Sequence, residues 1–384
     1  MLWVALLLSA TPPPSRPPQT RPKPEPPATA DALRGLALWC LQFTPRVAQV
    51  EGTAVVMEVE SSLRLFKGLS ALKARISDEA PDLGVIGIGW APSATGALVM
   101  ARCGVLDLGS RLYQPVLDDL PLAALSAAAV HAETLSRAGI NTLGQLRALP
   151  RGGISRRFDT ELLAALDRAY GLRPEVFSWE VLPERFEVRS ELPSREDLAP
   201  ALLAFARPLL MQMCGWLAAR HAGAYGFTLQ WVHDSMRAKD AGDGGQVSIR
   251  SSEAMRDLEH FTRLLAEHLA KVELLAPVGE LRLEAIGVEA VTEQSLSLLP
   301  QSLSAGESLA LVLERIAARL GPERVLQPFQ VDDHRAEWAV HWGPTIKRKA
   351  RRQDAVPELP APTFLLEQPL KLAVAMSGLI TRAR

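Results

Sequence analysis

Cysteine is scarce in this chain: Cys40, Cys103 and Cys214 are the whole complement. They are odd in number and far apart, which excludes a disulfide framework and a Cys-x-x-Cys metal site. That usage fits a reducing compartment, the cytoplasm. Histidine is thin as well: the seven residues show no His-x-x-x-His step and no pairing with a nucleophile. Net charge is nearly absent, with 42 Lys and Arg against 43 Asp and Glu. Dedicated nucleic-acid binders are usually basic, so any DNA contact must come from a local patch. Long apolar runs are lacking too. Residues 1–10 lack the basic start and small-residue cleavage site of a secretion signal and predict a buried strand instead. Nothing reaches transmembrane length, so no membrane partner is expected.

What is present is enough apolar sequence, 48% of 384 residues, for two or three domains with real cores. Residues 11–30 are Pro-rich and read as an extended linker. Periodicity then predicts helices over Ala32–Phe43, Leu69–Glu79 and Ser93–Cys103, with strands over Thr53–Glu60 and Gly84–Gly89, a layered α/β unit. From Leu120 to Gly171 only short helices are expected. Ala132–Ala138 and Thr142–Leu149 form a helix-hairpin-helix around Gly139, and Phe158–Tyr170 forms a third helix. A third unit over 186–291 reads β-α-β-β-α-β, with Tyr225, Phe227, Leu229 and Trp231 alternating along a half-buried strand and Leu258, Phe261, Leu264, Leu265 and Leu269 marking an amphipathic helix. Ser194-Arg-Glu-Asp197 caps its long helix, which reaches Ala222 and is kinked or divided at Pro208.

The run Leu41-Gln-Phe-Thr-Pro-Arg-Val47, the segment Ser62-Leu-Arg-Leu-Phe66, Leu149-Pro-Arg-Gly-Gly-Ile-Ser-Arg-Arg-Phe158 and Gln212-Met-Cys-Gly-Trp-Leu-Ala-Ala-Arg-His221 resemble one family together. That family is the Y-family (UmuC/DinB-like) lesion-bypass DNA polymerases, and more narrowly its ImuB-type, catalytically inactive branch. The resemblance implies an α+β multidomain fold over roughly the first three-quarters of the chain. Residues 1–10 would be the first palm strand and 31–118 the rest of a palm-like domain, with the fingers missing between them. Residues 119–182 would be a helical thumb and 186–291 a βαββαβ little finger. Residues 292–300 would be a clamp-binding linker, 301–340 a C-terminal helical region, and 341–384 a partly disordered basic and Pro-rich tail.

Carried over residue by residue, the family's catalytic positions are lost. Its first strand ends in Asp-x-Asp, where this chain has Ala5 and Leu7. Its Asp-Glu pair falls on Thr53 and Ala54, and its triphosphate lysine falls on Ala94. None of these side chains supplies the anionic oxygen a hard cation demands or the cation that pairs with a triphosphate. No catalytic residue, metal site or cofactor is therefore expected. Glu58 and Glu60 share a strand face and offer a cation site; a polar edge facing solvent is the more ordinary reading of such a pair.

Gln294-Ser-Leu-Ser-Leu-Leu299 resembles a bacterial clamp-binding peptide, in which Gln294, Leu296, Leu298 and Leu299 would anchor in an apolar groove. An apolar linker packed on the chain's own core is the alternative. Gly139 in the hairpin, Arg151, Arg156 and Arg157 in a basic, flexible turn, and Arg189 and Arg195 on the third unit are candidate DNA contacts. Lys347, Arg348 and Lys349 in the basic run are candidates too, and a solvated face stays open for each of these charges. Leu309, Val312, Leu313, Ile316 and Leu320 line one face of a helix, either a docking face or a helix packed on the chain's own domains.

The resemblance then implies a non-catalytic adaptor in damage-induced (SOS-type) mutagenesis and translesion synthesis. Such a protein would bind primer-template DNA weakly and the sliding clamp, alongside a RecA-like partner and an error-prone replicative-type polymerase acting in trans. A residually active polymerase and a degenerate remnant are the alternatives.

Overall fold

In the computed structural model, residues 1–8, 30–106, 112–234, 242–291, 309–330, 338–344, 372–374 and 380–382 are described. Trp3–Leu8 (β1) is a strand whose two faces both sink into cores. Val4, Leu6 and Leu8 enter one, and Trp3 and Ala5 the other. Ala30–Cys40 (α1) follows, then Val47–Val50 (β2) and Ala54–Glu58 (β3). The sequence predicted one strand here, but β2 pairs with β3 across a tight turn in which Glu51 and Gly52 both take positive φ. Leu69–Glu79 (α2), Val85–Ala91 (β4) and Ala94–Arg102 (α3) complete the unit. Its antiparallel sheet runs β2-β3-β1-β4, the split β-α-β arrangement with β1 inside.

Short helices come next: Tyr113–Asp118 (α4), Ser126–Ala129 (α5), Ala132–Arg137 (α6), Leu143–Arg147 (α7), Arg151–Arg157 (α8) and Thr160–Ala169 (α9). They enclose their own apolar cluster, centred on Leu117, Leu135, Leu143, Leu146 and Leu162. The basic turn expected at Arg151 is a helix instead. Burial of Ile154 outweighs the poor helix propensity of Gly152 and Gly153, about 1 kcal/mol each.

Glu187–Glu196 (β5), Leu202–Ala219 (α10), Ala222–His233 (β6), Gly244–Met255 (β7), Leu258–Leu269 (α11) and Val278–Ala290 (β8) build a second antiparallel sheet, ordered β5-β8-β6-β7. Ser194 to Asp197 do not cap the helix, since β5 runs on through Glu196 with a shift in register against β8. The start of α10 is set instead by a 3-10 turn over Ala199–Ala201 carrying Pro200. Pro208 removes one backbone donor without dividing the helix. Against the expectation that nothing reaches transmembrane length, Ala199–Ala219 is long and apolar enough to cross a membrane, and more than half of its most apolar part is buried inside the protein.

The helical layers of the two sheets pack face to face. One continuous core runs from Val4 and Leu6 on β1 through Leu36 and Trp39 on α1. It continues through Leu209, Met213 and Trp216 on α10 to Phe227 and Leu229 on β6. Trp39, Trp216, Phe43, Phe186, Phe227 and Phe261 are its largest fully buried side chains, each contributing about 2–3 kcal/mol by removal from water.

Leu309–Leu320 (α12) lies against α11, where Arg319 pairs with Glu267 at 2.8 Å and Ala317 is buried. The helix thus packs on the chain's own domain, while Ile316 and Leu320 of its apolar stripe stay exposed. Leu326–Gln330 (β9) and Val340–Pro344 (β10) form a hairpin that crosses the boundary expected near residue 340. Lys347–Arg384 is a separate unit in which Leu372–Val374 (β11) pairs with Ile380–Arg382 (β12).

Candidate functional site

On the face of the first sheet turned away from α1, the register places Leu7 directly opposite Ala54, and Ala5 opposite Val56 on one side and Gly89 on the other. Thr53 stands just before β3, its carbonyl accepting the Leu8 amide at 3.0 Å. The structure therefore brings the expected positions together, as a small apolar core. Ala5 and Ala54 are fully buried with Ala48, Val56, Ala91, Ala97 and Ala101, under α3. The helix fits so closely that a Cβ at Gly89 would stand 2.1 Å from the Ala97 carbonyl. Two metal ions have no donor set on this face, because methyl groups and aliphatic chains offer no lone pairs.

Glu58 and Glu60 do not converge. Glu58 is buried, accepting from the Glu60 amide at 3.0 Å and lying 3.4 Å from the Arg46 guanidinium, while Glu60 pairs with the Met1 amino group at 2.6 Å. Among the described residues no group of three or more His, Cys, Asp or Glu side chains is placed to hold a metal ion.

At the first turn of α3 the Ser93 hydroxyl caps the helix, accepting from Gly96 N–H at 3.2 Å and donating to the Ala169 carbonyl at 2.8 Å. The Tyr113 hydroxyl reaches that same carbonyl at 2.5 Å, and burial pushes its pKa up to about 12. Ala94, at the expected lysine position, is buried, and its amide and that of Thr95 donate to the Glu175 carboxylate at 2.8 Å each. Glu175 carried no signal in the sequence: it sits in a segment without periodicity, some 80 positions from its partners.

Gly139 (φ 79°) closes α6, where Gly139 N–H donates to Ser136 O at 2.9 Å and Ile140 N–H to Leu135 O at 3.0 Å. This paired pattern needs a left-handed residue. At the first residue of α5 the Ser126 hydroxyl donates to the Glu51 carboxylate, as does Arg102. On α8, Arg151 makes a bidentate pair with Asp167 at 2.8 and 2.6 Å, which holds the Asp167 carboxyl below its usual range. Arg156 donates to Gly152 O at 2.9 Å, and Arg157 is exposed on the same helix.

Arg189 pairs with Asp31 at 2.5 Å and Arg195 with Asp234 at 3.0 Å, both from β5. The outer face of this second sheet is mixed in charge. Glu187 faces Glu284, Arg189 faces Arg282 and Glu191 faces Glu280 across β5 and β8. Gln294, Leu296, Leu298, Leu299, Lys347, Arg348 and Lys349 lie outside the described residues.

A cleft of about 460 Å³ opens between α1, α2, α10 and α11, lined among others by Trp39, Arg75, Glu79, Arg207 and Cys214. Arg207 spans it, pairing with Asp82 beyond α2 and with Glu259 on α11 at 2.9 Å. The cleft is thereby a seam closed by ion pairs.

No protein-family model matches the chain. It is 27% identical over 356 residues to Protein ImuB of Caulobacter vibrioides (strain NA1000 / CB15N), covering 90% of this chain and 75% of that protein. Protein ImuB of strain ATCC 19089 / CIP 103742 / CB 15 matches to the same extent. The likeness to ImuB read from the motifs thus extends over nine-tenths of the chain. Among solved structures, a Dbh ternary complex shares 12% identity over 67% of this chain and 76% of its own, with a TM-score of 0.30. A DinB family error-prone DNA polymerase from Sulfolobus solfataricus shares 13% over 68% and 79%, with a TM-score of 0.31.

Proposed function

We propose that this chain is a non-catalytic adaptor in damage-induced mutagenic DNA synthesis. It binds primer-template weakly, holds the sliding clamp through Gln294, Leu296, Leu298 and Leu299, and brings an error-prone polymerase to the DNA in trans. One observation carries the non-catalytic part. The face bearing Ala5, Leu7 and Ala54 is a packed apolar core rather than a carboxylate cluster, so two-metal phosphoryl transfer has no residues to run on.

In this reading the α6–α7 hairpin belongs to a helix-hairpin-helix thumb, and the second sheet with its helices is a little-finger-like domain. The chain's near-balanced charge keeps DNA affinity low, and a clamp tether compensates by raising the local concentration at the primer terminus. Likeness to ImuB over 90% of the chain supports the assignment.

Titration calorimetry with a bacterial sliding clamp tests the tether. Micromolar binding is expected for the wild type and loss of binding for the Gln294→Ala, Leu298→Ala, Leu299→Ala variant. A folded wild-type chain that ignores the clamp sinks the tether. Primer extension with magnesium or manganese tests the rest: template-directed incorporation by the purified chain would overturn the non-catalytic reading.

A further inference from the structure

After α9 the chain runs from Gly171 to the start of β5 without helix or strand. A connection of that kind ordinarily lies loose on a surface. This one is pinned at three points. The Glu175 carboxylate accepts from the amides of Ala94 and Thr95 at 2.8 Å each and from the Thr95 hydroxyl. The Phe177 ring sits 5.2 Å from Trp3, and Trp179 stacks on Trp3 at 6.3 Å with 14° between the planes. The Glu180 amide donates to the Val47 carbonyl at 2.8 Å. Between the anchors Val176 turns outward, 95% exposed. Every second residue thus grips the protein, the habit of an extended segment laid over a surface.

We propose that residues 173–180 are a strap that shuts the outer face of the first sheet, with Glu175 as a built-in anion seated in the first turn of α3. The three anchors fall on the N-terminus of α3, the Trp3 end of β1 and the edge strand β2, the elements that frame this face. The amides at a helix start have no partner within the helix and carry its positive dipole end, which suits a carboxylate. Two such amides and a hydroxyl on one carboxylate form a charge-assisted set, and donors so engaged are withheld from any outside phosphate. Trp3, buried to 7% exposure, lies under the aromatic anchor, so the Trp3 end of this face meets solvent only when the strap lifts. The strap closes the face whatever the chain's wider role, and so stands apart from the adaptor reading.

Hydrogen exchange at the Ala94 and Thr95 amides tests it, in the full-length chain and in Glu175→Ala, with inorganic triphosphate as the anion probe. In the wild type both amides should be protected and indifferent to triphosphate. In Glu175→Ala their exchange should rise roughly tenfold or more, as expected for loss of a charge-assisted pair, and triphosphate should restore part of the protection. Protease cleavage within 173–180 should rise in parallel. Should Glu175→Ala fail to fold, Phe177→Ala loosens the strap away from the helix and should deprotect the same two amides. Unchanged exchange in a folded variant, or wild-type amides that respond to triphosphate, overturns the strap.

Discussion

Gly215 of α10 lies against the backbone of Trp39 on α1, where an added Cβ would stand 3.0 Å from the Trp39 Cα. This close crossing, repeated where Gly35 meets Gln212, lets the helical layers of two sheets merge into one core. Gly215→Val should therefore destabilise the protein by about 1–3 kcal/mol through overpacking, with both sheets unfolding in one transition. Urea denaturation followed by far-ultraviolet circular dichroism checks it. An unchanged midpoint, or two separate transitions in the wild type, would deny the shared core.

The thiols should differ sharply in reactivity. Burial raises the pKa of Cys214 to about 12 and that of Cys40 further still, while Cys103 is raised less, with Arg102 opposing. Since the thiolate is the nucleophile, an aromatic disulfide reagent near pH 8 should modify Cys103 first and Cys40 only on unfolding. Rapid labelling of Cys40 in the native protein would contradict its placement.

Arg151 and Asp167 give a pH signature. The pair lowers the Asp167 pKa, so its stabilisation is present above the unfolded aspartate value, about 3.9. It is lost as pH falls through the lower folded value. Arg151→Gln should lower the melting temperature slightly at neutral pH, and the difference from wild type should vanish in strong acid. A gap that widens toward acid would mean Asp167 is not the partner.

Glu187 and Glu284 oppose each other across β5 and β8, and like charges so placed destabilise by a few tenths of a kcal/mol. Glu284→Lys should raise stability by about that amount. It should also strengthen binding to primer-template DNA with a steeper salt dependence, if the outer face of this sheet lies along a duplex. Fluorescence anisotropy over a salt series reads both; a stabilised variant with unaltered DNA affinity takes that face away from the duplex.

Local features were legible from the residue order. The amphipathic spacing of Leu258, Phe261, Leu264, Leu265 and Leu269 marked α11, and the Tyr225–Trp231 alternation marked β6. Capping and periodicity act over a few residues, so they survive without knowledge of the fold. Local rules failed where burial overrode propensity, as at Gly152 and Gly153 in α8. They failed again where strand pairing overrode a capping pattern, as at Ser194 to Asp197 in β5.

Residue identity alone removed the carboxylates from positions 5, 7, 53 and 54, because no fold turns Ala5, Leu7, Thr53 and Ala54 into anionic ligands. Only the tertiary structure decided what stands in their place: alanines packed beneath α3, with Glu175 drawn to the amides of Ala94 and Thr95 from some 80 residues away. Such contacts depend on loop closure and on the packing of the whole core, which no short window of sequence contains.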